Sequence, residues 1–254
     1  MDLRGAVAIV TGGGTGIGRE VSLQLARAGA AAIVVNYSRS AADAERTASE
    51  IQGLGVESSA DRANVAVESE CQALVQRTLD RFGRLSVLVN NAGTTRHIEH
   101  SDLEALTDEV WDEILDVNLK GTFYMTRAAA AALKESRGAV VNVASIAGWR
   151  ATGSSIPYGV SKAGIMQLTR NLALALAPDV RVNSVAPGLV RTRWFRQPLG
   201  EEKAEERERE LADKSPLKQI AGPEEVAQAV VGLLGMDLVT GENLIVDAGL
   251  HLLY

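Results

Sequence analysis

Short apolar runs recur along the chain, separated by glycine and polar residues. Because these runs show little alternation with polar positions, they are typical of strands buried on both faces. Seven strands are predicted, of which the third has the weakest pattern, over residues 6–10, 32–35, 56–65, 87–89, 139–144, 180–185 and 244–246.

Apolar residues spaced three or four apart between these runs predict helices. The helical segments are residues 17–28, 41–54, 67–82, 103–133, 158–177 and 224–234. Alternation of strand and helix predicts an α/β fold with a doubly wound parallel sheet of about seven strands and helices on both faces. The charged run 201–210 is interpreted as a solvated helix face, and its position after the sixth strand leaves room for a lid.

Length and composition narrow the function classes. A chain of 254 residues with 46% apolar content and no evident linker is interpreted as a single domain, residues 1–254. A net charge of −6 disfavours nucleic acid or an anionic membrane as partner, so a small molecule is expected. The single cysteine, Cys71, and the short first apolar run indicate a cytoplasmic protein.

A glycine-rich loop follows the first strand and precedes a helix. The segment from Thr11 to Gly18 reads T-G-G-G-T-G-I-G. Glycines allow positive φ angles and close approach of the backbone to a pyrophosphate, and the helix N-terminus supplies free N–H groups. The segment therefore predicts a dinucleotide site, while the absence of a G-x-x-x-x-G-K-[ST] sequence disfavours an ATPase.

A phenol and an ammonium lie four residues apart at Tyr158 and Lys162, and Ser145 follows the fifth apolar run. On a helix the Tyr158 and Lys162 side chains share a face. The cation is expected to lower the pKa of the phenol, whose ordinary value is about 10. These three groups could hold and protonate a carbonyl, although Y-x-x-x-K alone is also compatible with an amphipathic surface pair.

Four motifs in order give the chain a family resemblance. They are T-G-x-x-x-G-x-G, Asn90-Asn91-Ala92-Gly93, Ser145 and Tyr158-x-x-x-Lys162, followed by Pro187-Gly188 ahead of Thr192. With them the sequence resembles the single-domain short-chain dehydrogenases/reductases, in particular members similar to 3-oxoacyl-acyl carrier protein reductases. The resemblance implies a Rossmann-like fold, an oxidoreductase of ketones or secondary alcohols, and a nicotinamide cofactor.

The resemblance also implies residue roles. Ser145 would donate a hydrogen bond to the substrate oxygen, Tyr158 would exchange a proton with it, and Lys162 would hold the nicotinamide ribose. Asn118 would hold a water in the proton relay, or be a buried amide bonded to backbone. The remaining cofactor contacts are expected at Gly12, Thr15, Gly16, Ile17, Gly18, Asn64, Val65, Asn91, Ala92, Gly93, Pro187, Gly188, Val190 and Thr192.

The residues at the end of the second strand indicate whether the site prefers NAD(H) or NADP(H). An NAD-selective site in this fold usually places a carboxylate there, which repels a 2'-phosphate. Here Tyr37 takes that place and Arg39 follows, with no acid until Asp43. The sequence therefore predicts a preference for NADP(H), with NAD(H) possible, although Thr15 stands where many NADP-specific relatives carry a basic residue.

Several alternatives remain open at this stage. An NAD-dependent alcohol, sugar or steroid dehydrogenase of the same family would carry the same motifs, and a non-catalytic dinucleotide sensor would share the glycine loop. The last strand predicts a homotetramer by analogy. No metal site is expected from His97, Glu99 and His100. The side chains of Arg96, His97, Arg150, Arg193 and Arg196 suggest a positive pocket rim for an anionic acyl thioester, or scattered surface charge.

Overall fold

All seven predicted strands form in one sheet, and every neighbouring pair runs parallel. The structure, a computed structural model, describes residues 1–253 apart from the side chains of residues 198 and 199; Tyr254, the last residue of the predicted domain, lies outside the described residues. The strands are β1 (Val7–Val10), β2 (Ala32–Tyr37), β3 (Glu57–Arg62), β4 (Val87–Asn90), β5 (Ala139–Val143), β6 (Arg181–Pro187) and β7 (Asn243–Val246).

The strand order places a crevice at the centre of the sheet. The order is β3-β2-β1-β4-β5-β6-β7, so β1 lies between β2 and β4. The chain runs outward from β1 to β3 and then returns to add β4 on the other side. At such a switch point the connections leave in opposite directions, which opens a ligand crevice at the carboxyl ends of the strands.

Helices cover both faces of the sheet. They are α1 (Gly16–Arg27), α2 (Ala41–Gly53), α3 (Glu68–Phe82), α4 (Asp108–Leu115), α5 (Gly121–Glu135), α6 (Ile156–Leu176), α7 (Arg193–Leu199), α8 (Glu201–Lys214) and α9 (Pro223–Gly235). Buried residues of α1, α2 and α9 join one apolar cluster, and those of α3, α5 and α6 join another.

The two apolar clusters lie on opposite faces of the sheet, which explains why the sequences of its central strands are continuous apolar runs. In β1, Ala8 and Val10 face the first cluster and Ile9 faces the second, and all three are fully buried. Side chains alternate across a strand, so a strand covered on both faces needs an apolar residue at every position. Cys71 packs in the second cluster, where burial raises the pKa of its thiol to about 11.

The predicted helix over residues 103–133 is wrong in two respects. Helix α4 begins only at Asp108, after Thr107 in an extended conformation, and acidic residues in its first turn complement the helix dipole. A π-helical turn, Asp116–Lys120, then separates α4 from α5. Such a turn contains an extra residue and often lies at a functional site; here it contains Asn118. The charged run predicted over 201–210 lies within the longer helix α8.

Candidate active site

The glycine loop lies at the carboxyl end of β1 and has the shape that its sequence predicts. Gly12 and Gly16 have φ values of +61° and +52°. A Cβ added at Gly14 would lie 2.8 Å from the Ala44 backbone nitrogen, and one at Gly18 would clash with the Gly12 carbonyl. These contacts leave no room for a side chain at Gly14 or Gly18, so the loop packs closely against the start of α2 and the first turn of α1 packs against Gly12.

The N-terminus of α1 is free to bind an anion. Thr15 occupies the N-cap position without a side-chain hydrogen bond to the helix, and the first turn, which contains Gly16 and Ile17, has no acidic residue. Uncapped amides and the positive end of the helix dipole favour a phosphate at this point. The predicted pyrophosphate site therefore fits the local structure.

The segment after β4 is hydrogen-bonded to the glycine loop. Asn91 Nδ2 donates to the Thr11 and Gly12 carbonyls at 3.0 and 3.1 Å. Thr11 Oγ1 accepts from the Asn91 and Ala92 backbone amides, both at 3.0 Å. The Asn91 amide thus supports the loop, and Ala92 and Gly93 continue towards the predicted catalytic residues: a Cβ at Gly93 would lie 3.9 Å from Lys162 Nζ.

Ser145, Tyr158 and Lys162 come together beyond the ends of β5 and β6. Ser145 caps a short 3₁₀ turn, and its hydroxyl lies 3.5 Å from the Pro187 carbonyl. Tyr158 is in the first turn of α6, which Ser155 caps. Lys162 is 5% exposed, and its Nζ donates to the Val143 carbonyl at 2.8 Å and lies 5.6 Å from the centroid of the Tyr158 ring.

The predicted lowering of the Tyr158 pKa is wrong for this structure. Burial raises the pKa of the phenol, and its hydrogen bond with Ser145 only opposes that shift. Burial also lowers the pKa of Lys162 to about 8. Both shifts follow from removing the charged form from water. The sequence showed the cation one turn away but not the desolvation of both groups.

Asn118 connects the π turn to two other parts of the site. Its Oδ1 accepts from the Thr94 amide at 2.7 Å, and its Nδ2 donates to the Thr94 carbonyl and to Ser161 Oγ, both at 3.0 Å. The side chain is therefore a buried amide bonded to backbone, which was one of the two interpretations. Ser161 was not predicted; its place between Tyr158 and Lys162 was the available signal. The water relay stays a prediction.

The loop after β6 reaches back to the glycine loop. Pro187 ends β6, and the Gly188 amide donates to the Val246 carbonyl at 3.0 Å. Val190 is buried, and Thr192 occupies the N-cap position of α7 without a side-chain hydrogen bond to the helix. The Thr192 methyl group lies 3.4 Å from a Cβ placed on Gly16. These predicted nicotinamide contacts thus lie beside the predicted phosphate contacts.

The predicted adenosine contacts differ in their availability. The side-chain Oδ1 of Asn64 already accepts from the Ala66 backbone amide at 3.2 Å, and Val65 is only 5% exposed. Arg39 is exposed after β2, and no ion pair of its guanidinium is found among the described residues.

A second arginine near Arg39 was not predicted. Arg62 pairs in register with Tyr37, and its Nε lies 3.5 Å from the Ser38 carbonyl. It is exposed, and within the described part of the chain it has no ion pair. Arg62 is a basic residue at the end of the strand next to β2. It could be recognised from the sequence only if the order of the strands in the sheet were known.

The suggested positive rim is largely neutralised. Arg96 pairs with Glu113 at 2.8 Å, Arg193 with Asp43 at 2.7 Å, and Arg196 with Glu201 and Glu208 at 2.9 and 2.8 Å. Arg150 donates to the Leu250 carbonyl at 3.1 Å. Within residues 1–253 there is no cluster of three metal-binding side chains and no helix long and apolar enough to span a membrane.

Comparisons with known proteins identify the family of the chain. A family model described as enoyl-(acyl carrier protein) reductase matches residues 12–251. The chain is 46% identical to ketoacyl reductase 2 of the granaticin polyketide synthase of Streptomyces violaceoruber, covering 97% of this chain and 96% of that protein. It is 34% identical to the 3-oxoacyl-acyl-carrier-protein reductase FabG of Staphylococcus aureus, covering 96% and 98%.

Solved structures are also similar to this chain. A Burkholderia xenovorans short-chain dehydrogenase/reductase matches with a TM-score of 0.90 and 32% identity, covering 97% of this chain and 98% of that one. A Burkholderia cenocepacia short-chain dehydrogenase in complex with NADP matches with a TM-score of 0.88 and 30% identity, covering 99% and 100%. With the glycine loop and the Ser145, Tyr158 and Lys162 arrangement, these matches show that the chain belongs to the short-chain dehydrogenase/reductase family of oxidoreductases.

Proposed function

We propose that the protein is an NADPH-dependent reductase that converts a ketone into a secondary alcohol, with 3-oxoacyl thioesters as its substrate class. The observation that carries the proposal is the meeting of Ser145, Tyr158 and Lys162 at the same end of the sheet as an uncapped, glycine-lined helix N-terminus. This arrangement places proton-donating groups beside a site suited to a dinucleotide.

The residue roles follow from the chemistry of each group. Ser145 and Tyr158 hold the substrate oxygen through their hydroxyls, and the Tyr158 phenol transfers its proton to that oxygen. The raised pKa of Tyr158 keeps the phenol protonated near neutral pH, as a proton donor requires. Lys162 is bound to the Val143 carbonyl and directs its remaining N–H groups towards the cofactor ribose. A bound nicotinamide supplies the hydride to the carbonyl carbon.

Two arginines support the preference for NADPH. Arg39 and Arg62 are exposed at the carboxyl ends of β2 and β3, and β2 ends in Tyr37 rather than in a carboxylate. A guanidinium binds phosphate through charge-assisted hydrogen bonds. We therefore assign the adenosine 2'-phosphate to this corner, with Arg39 as its principal ligand. The solved relative in complex with NADP supports the same cofactor.

The substrate class rests on the relatives named as ketoacyl reductases. Because the matching family model is described as an enoyl reductase, the test compares the two chemistries directly. The purified protein is supplied with NADPH and either an acetoacetyl thioester or a crotonyl thioester. Turnover of the 3-oxo substrate with little turnover of the enoyl substrate is expected. The reverse preference would overturn the proposal. Turnover of only simple alcohols, sugars or steroids with NAD⁺ would support the alternative dehydrogenase.

We also propose a cytoplasmic homotetramer. Strand β7 is an edge strand, and Leu244 on it is 37% exposed, which suits a contact between subunits. Light scattering coupled to gel filtration measures the mass of the particle. Four chains are expected, whereas a monomer at micromolar concentration would contradict the assembly.

A further inference from the structure

One ion pair beside the candidate site joins elements that lie on opposite sides of the glycine loop. Arg193, the first residue of α7, places its Nη2 2.7 Å from Oδ2 of Asp43 in the first turn of α2. The two residues are 150 positions apart in the chain. Their contact therefore depends on the fold and connects the loop after β6 to the helix after β2.

The surrounding contacts show where this ion pair lies. The glycine loop packs against the start of α2, since a Cβ on Gly14 would lie 3.2 Å from the Asp43 carbonyl carbon. On the other side, the Thr192 methyl group lies 3.4 Å from a Cβ placed on Gly16, and Trp194 lies 3.8 Å from one placed on Gly93. Residues 192–194 thus extend from the phosphate end of the cleft to its catalytic end.

The carboxylate of Asp43 holds two cations. Besides Arg193 it contacts Arg46, on its own helix, at 3.1 Å, and its side chain is only 18% exposed. The Arg193 guanidinium holds the pKa of Asp43 below its usual value. At neutral pH the Asp43 carboxylate that pairs with Arg193 is therefore fully ionised. It lies beside the N-terminus of α1, which has no acidic residue in its own first turn.

We propose that Arg193 is a phosphate-binding residue for the dinucleotide, whose pyrophosphate replaces Asp43 as the partner of its guanidinium. This inference rests on the proposed function, which places the pyrophosphate at Gly16 and Ile17. Arg193 follows Thr192, which already touches the Gly16 position, so a change of partner requires only that the guanidinium move between two adjacent anions. Asp43 then competes with the cofactor for Arg193 and weakens its binding.

A double-mutant cycle tests the exchange through the dissociation constants of NADPH and NADH. Asp43→Asn should tighten the binding of both nucleotides about threefold to tenfold, because the competing ion pair is lost. In an Arg193→Gln background the same substitution should change either constant by less than about twofold, because no guanidinium remains to be released. Asp43→Ala repeats the test without a side-chain amide that could still accept from Arg193.

Arg46→Gln is the matched control. This substitution removes the Arg46 guanidinium, which contacts Asp43 from the same helix and does not cross the cleft. The dissociation constants of NADPH and NADH should stay within about twofold of the wild-type values. Equal tightening by Asp43→Asn with and without Arg193 would show a general charge effect and overturn the proposal, as would no tightening in the wild-type background. Failure of the wild-type protein to bind either nucleotide would instead overturn the proposed function.

Discussion

The floor and the roof of the candidate site are held by different interactions. The floor, defined here as Asn118, Ser145, Tyr158 and Lys162, is fixed by hydrogen bonds among buried or partly buried groups at the ends of the strands. The roof, defined as α7 and α8, is held by ion pairs such as Arg193 with Asp43 and Arg196 with Glu208.

This difference separates two tasks. Buried hydrogen bonds keep reacting groups in one geometry, because leaving a partner unsatisfied in the interior is costly. Ion pairs whose arginine remains in contact with solvent, as that of Arg193 does, contribute little to stability. We therefore expect substitutions in the floor to affect the chemical step and substitutions near the roof and the cofactor corner to affect binding.

The largest effect is expected for Tyr158→Phe, which removes only the phenol oxygen. Loss of a general acid should lower kcat by about 10²- to 10⁴-fold. Nucleotide affinity should change little, since the ring remains in place. Steady-state kinetics together with fluorescence titration of NADPH measure both quantities. A variant that retains more than about a tenth of the wild-type kcat, a barrier change below about 1.4 kcal/mol, would show that Tyr158 is not the proton donor.

Next in size is the effect of Arg39→Ala on cofactor choice. Loss of a charge-assisted contact to the 2'-phosphate should weaken NADPH binding about tenfold to a hundredfold and leave NADH binding almost unchanged. Dissociation constants for both nucleotides are measured on the same preparation. An unchanged dissociation constant for NADPH would show that Arg39 does not bind the 2'-phosphate. An equal loss of affinity for NADPH and NADH would show that Arg39 binds a group that both nucleotides contain.

Lys162 gives a prediction on the pH dependence of stability in the floor. Burial lowers its pKa from 10.5 to about 8, so the unfolded chain binds the proton more tightly than the folded protein does. Burial of the charged Lys162 ammonium therefore lowers the free energy of unfolding by its full amount below about pH 8. This loss of stability disappears as the pH rises towards 10.5.

Denaturant unfolding of the wild type and of Lys162→Met measures this effect. The free energy of unfolding of the wild type, relative to the variant, should rise by about 1 to 2 kcal/mol between about pH 8 and 9.5. A difference between the two proteins that stays constant over this range would mean that Lys162 titrates normally.

The smallest effect is expected for Arg62→Gln, since Arg62 is the secondary cation at the 2'-phosphate corner. NADPH binding should weaken about threefold to tenfold, with NADH binding unchanged. Arg84→Gln is the matched control, because Arg84 is also exposed but precedes β4, at the amino ends of the strands. Similar weakening in both variants would show that net charge, rather than position, is responsible.

Local patterns were sufficient to predict the sheet and the glycine loop. Strands β1, β4 and β5 are buried at every position, so their apolar runs identified them, whereas β3 is polar and partly exposed and had the weakest pattern. The glycine loop needs only glycines between a strand and a helix. The four residues of the floor were also predicted individually from motifs. Their hydrogen bonds to Thr94, Val143 and Ser161 were not, because these depend on the arrangement of strand ends in space.

The roof was less predictable because its contacts join distant parts of the chain. Arg193 and Arg196 looked like free cations in the sequence, yet Arg193 pairs with an acid from another element. Arg62 lies beside the end of β2 only through the pairing of β3 with β2. Likewise, the break in the predicted helix at Asn118 arises from a π turn, for which an amphipathic pattern gives no clear signal.

The central claim, NADPH-dependent reduction of a carbonyl at Tyr158, is tested most directly by kcat/KM for NADPH and NADH with one acetoacetyl thioester. Turnover should favour NADPH by about tenfold or more, and Tyr158→Phe should lower it by about 10²- to 10⁴-fold. An equal or greater kcat/KM with NADH, or a phenylalanine variant that retains more than about a tenth of the wild-type turnover, would contradict this claim.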